Sequence, residues 1–195
     1  MNHPADGANG YEQYADEFIS RRAASTIGVA TVSAWARSLP PGAAILDLGC
    51  GSGQPITEAL HHDGFAVHGI DASPTLVAVC RQRFPEMPIA CEAVEASRFF
   101  ERPFDGVLAV GLLFLLTEEA QRTVIRKVAA ALTPGGRFLF TAPSQRCEWT
   151  DVLTGRESRS LGGEAYVAAL ADVGLRLLAE SEDEGGNHYY DAIAR

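Results

Sequence analysis

Short apolar runs that alternate with helical segments constrain the fold of this chain more than any other feature of its sequence. The run AAILDLG (43–49) has apolar side chains at consecutive positions and is bounded by turn residues, which is typical of a strand covered on both faces. A helical segment from Pro55 to His62 separates it from FAVHGID (65–71), which repeats the pattern. Three more apolar runs follow: MPIAC (87–91), PFDGVLAV (103–110) and RFLFTAP (137–143). This alternation predicts a parallel α/β sheet with helices on both faces.

Two helix starts are marked by capping residues. Ser73 followed by Pro74 combines an N-cap serine with proline at the first helical position. Thr117 precedes Glu118 and Glu119, whose charges suit the N-terminal end of a helix dipole. Helices are therefore predicted to begin immediately after the serine and after the threonine.

The segments before and after these runs complete a single predicted domain over residues 1–195. Apolar residues recur every three or four positions from Tyr11 to Leu39, which predicts one long or two shorter amphipathic helices. The polar residues 143–160 are predicted to be irregular, and a last helix is predicted from Gly162 to Val173. LRLLAE and HYYDAIA then predict an antiparallel hairpin.

The charge and composition argue against several classes of partner. The net charge is −9 with Lys127 as the single lysine, whereas binding to nucleic acid or to an anionic membrane requires clustered basic residues. The four cysteines show no metal or redox spacing, and no metal site is predicted. The longest apolar run, VLAVGLLFLL (107–116), is too short to span a bilayer. We expect a cytoplasmic protein without nucleic-acid or membrane partners; a monomer and a homodimer both fit the sequence.

A glycine-rich loop follows the first predicted strand, in the sequence ILDLGCGSGQP (45–55). It lies at the carboxyl end of the strand, where open α/β sheets bind ligands, and its glycines let a ligand approach the backbone. The spacing G-x-G-x-G differs from the dinucleotide G-x-G-x-x-G, and no G-x-x-x-x-G-K-[ST] phosphate loop occurs. Asp47 precedes the loop, where it can accept a hydrogen bond from an ammonium group. Asp71 ends the second strand, where a carboxylate can bind both hydroxyls of a ribose, so the pattern indicates a nucleoside ligand.

Four motifs, ILDLGCGSG, GIDAS, PFDGVLAVGLLFLL and LTPGGRFLFTAP, resemble in order and spacing those of class I S-adenosylmethionine-dependent methyltransferases. The resemblance runs from Tyr11 to Pro143, and the final hairpin resembles that family as well. It implies a Rossmann-like, doubly wound, mostly parallel seven-stranded sheet with helices on both faces and a C-terminal antiparallel hairpin. It also implies S-adenosylmethionine as cofactor and S-adenosylhomocysteine as product. Residues 11–39 would form a helical lid, 43–142 the cofactor-binding core, and 143–195 the acceptor side.

The resemblance implies cofactor contacts residue by residue. Asp47 would lie near the methionyl amino group, Asp71 would hold the ribose hydroxyls, and Ala72 would lie against the adenine. The other implied contacts are Gly49, Cys50, Gly51 and Gly53 beneath the methionine moiety, Glu92, Val94 or Glu95 at the adenine, and Ala109, Val110 and Leu112 near the sulfonium.

The acceptor side departs from the family pattern. Phe114 and Leu115 stand where many members have a histidine pair, which removes a common polar group beside the transferred methyl. The candidate catalytic residues are His188, Asp151 and Tyr14, with Asp151 or Glu184 expected to orient His188 as a base. The candidate acceptor-binding residues are Trp149, Arg146, Arg156, His188 and Tyr189, and the lid offers Tyr11, Tyr14 and Arg22 as carboxylate or acceptor contacts.

These observations predict an S-adenosylmethionine-dependent methyltransferase that acts on a small-molecule acceptor. One alternative is a non-catalytic module that binds the cofactor or its product, because the histidine pair is replaced. A second alternative is a small NAD-dependent oxidoreductase built on the same kind of sheet.

Overall fold

The computed structural model describes residues 7–195, so residues 1–6 of the predicted domain lie outside it. Its strands are β1 (Ala44–Leu48), β2 (Ala66–Asp71), β3 (Ile89–Cys91), β4 (Phe104–Ala109), β5 (Leu132–Thr141), β6 (Cys147–Thr150), β7 (Glu157–Ser160), β8 (Leu175–Glu182) and β9 (His188–Ala194). Among residues 7–195, seven strands form one sheet in the order β3-β2-β1-β4-β5-β9-β8. The first five strands pair in parallel, and β9 pairs antiparallel with both β5 and β8. The predicted sheet and its C-terminal hairpin are confirmed.

Helices cover both faces of this sheet, as the alternating pattern predicts. They are α1 (Ala15–Ala23), α2 (Val29–Ala36), α3 (Ile56–His62), α4 (Pro74–Arg83), α5 (Glu118–Ala131) and α6 (Gly163–Asp172). One core packs α5 and α6 against the sheet, and the other packs α2, α3 and α4 against the opposite face. Tyr189 and Tyr190 show the alternation within one strand, because they belong to opposite cores. No helix among residues 7–195 is long and apolar enough to cross a membrane.

Both predicted N-caps are present. The Ser73 hydroxyl accepts a hydrogen bond from the backbone N–H of Leu76, and the Thr117 hydroxyl accepts one from that of Ala120. Each bond satisfies one of the N–H groups that a helix start leaves unpaired. These caps fix where α4 and α5 begin, and α4 starts directly beside the end of β2.

The structure decides between the predicted alternatives at one place and corrects the sequence-based predictions at two others. The N-terminal segment forms two shorter helices, α1 and α2, which is one of the two predicted alternatives, and a 3-10 turn at Tyr11–Tyr14 precedes them. Strand β5 begins at Leu132, which pairs with Phe104, and the register then shifts before Arg137 pairs with Gly106. The region 143–160, predicted to be irregular, contains the antiparallel hairpin β6–β7. Its strands are short and alternate in exposure, so they lack the continuous apolar run that marks a strand buried on both faces.

Candidate active site

A cavity of about 260 Å³ lies at the carboxyl ends of the parallel strands. The strand-end residues Asp47, Asp71 and Thr141 contribute to its wall, and the N-terminal segment forms the opposite side. This is the edge at which open α/β sheets bind ligands. Its lining from the N-terminal segment comprises Gly7, Ala8, Asn9, Tyr11, Phe18 and Arg22. Its lining from the sheet side comprises Asp47, Gly49, Cys50, Gln54, Ile56, Asp71, Ala72, Leu76, Val94, Val110, Gly111, Leu112, Phe114, Leu115, Leu116, Thr141, Asp151 and Asn187.

The glycine loop turns tightly between β1 and α3. Gly49 and Gly53 have φ values of 73° and 84°, a region that residues with a Cβ rarely adopt. The N–H groups of Gly49 and Cys50 both donate to the carbonyl of Ile70, which ties the loop to the end of β2. Gly49 and Cys50 line the cavity, whereas Gly51 and Gly53 are buried and do not line it. Two of the four predicted loop contacts therefore lie on the cavity wall, and the other two do not.

Gly53 offers a direct test of this packing. A Cβ at this position would lie 2.6 Å from Phe84 Cε2 and 3.0 Å from Cys80 Sγ, whereas a Cβ at Gly42 would have open space within 4 Å. Both positions have positive φ, so alanine strains the backbone at each. We expect Gly53→Ala to lower the free energy of unfolding by about 1 to 3 kcal/mol more than Gly42→Ala, measured by urea denaturation. Equal losses in the two variants would contradict the packing.

The Asp71 carboxylate bridges the glycine loop and the start of α4. Its Oδ2 accepts a hydrogen bond from the N–H of Gly51 at 2.9 Å, and its Oδ1 accepts one from the N–H of Ser73 at 2.8 Å. Burial raises the pKa of this carboxyl group, and the two backbone N–H donors act against that rise. A carboxylate has about four acceptor positions, so two remain for a ligand in the cavity.

Asp47 is the more deeply buried of the two carboxylates. It is 3% exposed, and its Oδ2 accepts a hydrogen bond from the Thr57 hydroxyl at 2.6 Å. Burial is the main cause that raises the pKa of Asp47 to about 7, and the nearby Asp71 carboxyl group raises this pKa further. The hydrogen bond from Thr57 and the charge of Arg22 act in the opposite direction and lower it. An ammonium group in the cavity would offset this burial cost by stabilising the charged form.

Arg22 supplies a cationic side chain to the same cavity from α1. Its guanidinium is partly buried, and burial lowers its pKa while Tyr189, Asp47 and Asp183 attract the charge. The cavity therefore holds a cation and a buried carboxylate close enough to interact. This pair of charges fits the carboxylate and ammonium of an amino-acid group.

Residues 10–12 form a strap across the cavity that is attached on both sides. Both carboxylate oxygens of Glu12 accept hydrogen bonds at the start of α4, from the Ser73 hydroxyl and from the N–H (3.2 Å) and hydroxyl (2.7 Å) of Thr75. These bonds lower the pKa of Glu12. On the other side, the Tyr11 hydroxyl donates to Asp151 Oδ2 at 3.2 Å, in the turn between β6 and β7. A ligand of this cavity would therefore lie beside a strap that is held at both ends.

Removal of the Glu12 contacts is expected to loosen the strap. In Glu12→Ala the three hydrogen bonds to Ser73 and Thr75 are lost, so residues 10–20 should exchange amide hydrogens at least tenfold faster. Hydrogen exchange followed by mass spectrometry measures this rate. Glu17→Ala is the matched control, since Glu17 is exposed on α1 and pairs with Arg21 of the same helix. Unchanged exchange in Glu12→Ala would show that other contacts hold the strap.

The predicted acceptor residues are mostly placed outside the cavity wall. Asp151 lines the cavity; Tyr14, Trp149, Arg146, Arg156, His188 and Tyr189 do not. The Trp149 ring packs behind Phe114 with centroids 5.4 Å apart, and the exposed Arg146 pairs with Glu118 at 2.7 Å. The Arg156 side chain lies against Gly10.

The expected orientation of His188 by Asp151 or Glu184 is wrong. His188 Nε2 lies 2.7 Å from Glu180 Oε2, because the two residues are near neighbours on the paired strands β8 and β9. Glu184 instead accepts a hydrogen bond from the N–H of Gly28. Tyr189, the next residue on β9, is buried and donates its hydroxyl to Asp183 at 3.0 Å.

At the opposite end of the cavity, Ala72 and Val94 form part of the wall. Glu95 and Ala109 lie outside it; Ala109 is fully buried in β4, and Glu95 Oε2 is buried without a hydrogen-bond partner in the described chain. The amide nitrogen of Asn9, a residue of the cavity wall, also lacks a partner among the described residues. An unpaired buried donor is costly, so the Asn9 amide suits a ligand that offers it a polar acceptor group.

Several residues of the cavity wall were not predicted from the sequence as site residues. Phe18 faces the glycine loop from α1, so that a Cβ at Gly51 would lie 3.0 Å from its ring. Thr141 ends β5, and its hydroxyl accepts a hydrogen bond from the N–H of Gly111 at 2.7 Å. Thr141 could have been predicted as a site residue from its place at the carboxyl end of a parallel strand. No sequence pattern indicated Asn187, since it lies in the turn before β9.

The fold and the cavity together define a nucleoside-binding α/β domain, with paired carboxylates at the ends of β1 and β2. A sequence model described as a methyltransferase domain matches residues 45–136. The chain is 32% identical over 145 residues to the tRNA (carboxymethyluridine(34)-5-O)-methyltransferase of Arabidopsis thaliana, covering 74% of this chain and 34% of that protein. It is 30% identical over 164 residues to the ubiquinone biosynthesis O-methyltransferase of Xanthomonas campestris pv. campestris, covering 81% and 59%.

A solved structure shows the same fold across the whole chain. It is the Burkholderia thailandensis 1,6-didemethyltoxoflavin-N1-methyltransferase with bound 1,6-didemethyltoxoflavin and S-adenosylhomocysteine. Its TM-score is 0.71 at 21% identity, with 100% of this chain and 93% of that chain covered. The family model and the two relatives at 32% and 30% identity confirm the resemblance to class I S-adenosylmethionine-dependent methyltransferases that was read from the sequence, and the solved structure shows the same fold.

The chain spans about a third of the plant relative and about three fifths of the bacterial one, 34% and 59% of their lengths. The plant relative is named as a tRNA methyltransferase, so the comparisons do not support the exclusion of nucleic acid that the net charge suggested.

Proposed function

We propose that this chain is an S-adenosylmethionine-dependent methyltransferase that transfers the methyl group to a small-molecule acceptor and leaves S-adenosylhomocysteine. The observation that carries the proposal is the placement of Asp47 and Asp71 at neighbouring strand ends on one cavity wall, with the glycine loop between them. When bound, S-adenosylmethionine supplies a methyl group activated by a sulfonium. A nicotinamide dinucleotide would instead bring a pyrophosphate towards Asp47, and like charges repel.

Each end of the cofactor has complementary residues on the cavity wall. Asp71 would accept the two ribose hydroxyls, while Ala72 and Val94 would contact the adenine. Asp47 would accept a hydrogen bond from the ammonium group, and Arg22 would donate to the carboxylate. The unpaired amide of Asn9 offers a further donor at the adenine end.

The protein's part in the reaction is orientation and the exclusion of water. Tyr11, at the centre of the strap, lines the cavity, and Phe18, Leu112 and Phe114 give it apolar walls. Orientation of two reactants in such an enclosure lowers a barrier by roughly 7 to 11 kcal/mol in favourable cases. Four cysteines without disulfides support a reducing, cytoplasmic location as part of this proposal.

A small acceptor is favoured by the enclosure of the cavity and by the net charge of −9. The tRNA methyltransferase among the relatives makes RNA the second candidate acceptor. RNA binding would need a basic surface, and the exposed Arg21 and Arg146 are paired with Glu17 and Glu118.

Thermal unfolding with added ligands tests the cofactor assignment. S-adenosylmethionine and S-adenosylhomocysteine at about 100 times their Kd should each stabilise the protein by about 2.7 kcal/mol, which raises Tm by roughly 5 to 10 °C. NAD⁺ and NADH should leave Tm unchanged. A shift with NADH and none with either adenosyl compound would replace this proposal by the oxidoreductase alternative.

A further inference from the structure

Asp151 is a carboxylate held rigidly by its own turn. Its Oδ1 accepts three hydrogen bonds, from the N–H of Leu153 (3.0 Å), the N–H of Thr154 (2.7 Å) and the Thr154 hydroxyl (2.9 Å). An oxygen with three donors has no acceptor position left. The carboxylate is therefore fixed in one orientation, with its other oxygen, Oδ2, directed away from the turn.

Asp151 Oδ2 lies on the side of the cavity. It accepts a hydrogen bond from the Tyr11 hydroxyl at 3.2 Å, and both residues line the cavity wall. A carboxylate oxygen has two acceptor positions, so one remains on Oδ2. The Tyr11 proton is already donated to Asp151, and burial raises the pKa of Tyr11, so this hydroxyl stays protonated and adds no base.

The cavity wall also includes apolar side chains, one of which contacts Tyr11. Phe18 packs edge-on against the Tyr11 ring with centroids 5.4 Å apart, and Leu112, Phe114 and Leu116 extend the apolar lining. Arg22 and Asp47 are matched to the amino-acid group of the cofactor and Asp71 to its ribose. Asp151 is then the charged group left for the acceptor among the described lining residues.

Resting on the proposed methyltransferase function, we propose that Asp151 Oδ2 accepts a hydrogen bond from the nucleophilic group of the methyl acceptor. The acceptor is therefore an N–H or O–H donor, an amine or an aromatic hydroxyl, and not a carboxylate or a thiolate, which would bring a second negative charge. The apolar walls suit an aromatic body.

In the methyl-transfer step, Asp151 is the proton acceptor. A lone pair on the acceptor nitrogen or oxygen forms the bond to the methyl carbon as the carbon–sulfur bond breaks and sulfur keeps that electron pair. The N–H or O–H proton passes to Asp151 Oδ2 and then to solvent. Asp151 acts on the acceptor directly, which replaces the role of orienting His188 that the sequence suggested.

Asp151→Asn replaces the acceptor Oδ2 by a hydrogen-bond donor and keeps the turn. The three donors at Oδ1 select the amide oxygen for that position, so the NH₂ group takes the place of Oδ2. The probes are benzylamine, phenol and benzoate, titrated into the protein saturated with S-adenosylhomocysteine and followed by ligand-observed NMR. Wild type should bind benzylamine or phenol at least tenfold more tightly than benzoate, and the variant should lose or reverse that preference.

The separate amine and hydroxyl probes show which of the two donors the site prefers. Asp172→Asn, an exposed aspartate at the end of α6, is the control for the change in net charge and should behave as wild type. The Kd for S-adenosylhomocysteine should stay within threefold of wild type in Asp151→Asn. Equal or tighter benzoate binding by wild type, an unchanged preference in Asp151→Asn, or binding of none of the probes would overturn the inference. Failure of wild type to bind S-adenosylhomocysteine would instead overturn the proposed function.

Discussion

Asp71→Asn is expected to weaken the binding of S-adenosylhomocysteine by at least roughly 100-fold. The two carboxylate oxygens accept from different backbone donors, the N–H of Gly51 and the N–H of Ser73. In asparagine the NH₂ group would face one of these N–H donors in either orientation, so the loop and the helix start cannot both be held. A ribose would also lose an acceptor, and hydrogen bonds to a charged group contribute about 1.5 to 3 kcal/mol each.

Isothermal titration calorimetry with S-adenosylhomocysteine measures this loss. Asp105→Asn is the matched control, because Asp105 also accepts a backbone N–H, that of Ala44, but at the amino ends of the strands. Both variants should lower the free energy of unfolding, and only Asp71→Asn should lose affinity. An affinity within threefold of wild type in Asp71→Asn would remove Asp71 from the cofactor site.

The affinity for S-adenosylhomocysteine is expected to fall about tenfold per pH unit below pH 7. Burial raises the pKa of Asp47 to about 7 in the free protein, above its ordinary value near 3.9. The bound ammonium group would stabilise the charged carboxylate, so binding below pH 7 must release its proton. Above pH 7 the carboxylate is already charged, and the affinity should become constant.

The same pKa gives the opposite trend for the stability of the free protein. A raised folded-state pKa favours the protonated form, so the stability contributed by Asp47 is fully present below about pH 4. It is lost as the pH rises through about 7, on the order of a few kcal/mol. Folding of the free protein and binding of the cofactor should therefore respond to pH in opposite directions.

Calorimetry at pH 6 in two buffers of different ionisation enthalpy counts the protons released on binding. Wild type should release close to one proton per S-adenosylhomocysteine. Asp47→Asn should bind weakly with an affinity that does not change between pH 5.5 and 8.5. A pH-independent affinity in wild type would show that Asp47 does not contact the ammonium group.

The sheet and its helices were predictable because each element carries a local signal. AAILDLG is apolar at consecutive positions since β1 is covered on both faces, and Leu46 and Leu48 are fully buried. Ser73 and Thr117 marked helix starts by their capping chemistry, and both caps are formed. Asp47 and Asp71 could be placed at a site because they end neighbouring parallel strands.

The acceptor side could not be predicted in the same way because its contacts join distant segments. Tyr11 and Asp151 are 140 residues apart in the chain, and neither has a neighbouring motif that indicates the other. His188 looked like a base, yet the pairing of β8 with β9 places Glu180 beside it. The β6–β7 hairpin is polar and short, so its strands resemble an irregular loop until the register is known.

Methyl transfer itself is the most direct test of the proposed methyltransferase function. Wild type and Asp71→Asn are incubated with S-adenosylmethionine labelled in the methyl group, together with a metabolite extract or with total RNA. We expect wild type to label a discrete small molecule in the extract and to leave the RNA unlabelled, while Asp71→Asn labels neither. Label in RNA alone would contradict the small-molecule acceptor. Binding of S-adenosylmethionine without any labelled product would contradict an enzyme and favour a non-catalytic cofactor-binding module.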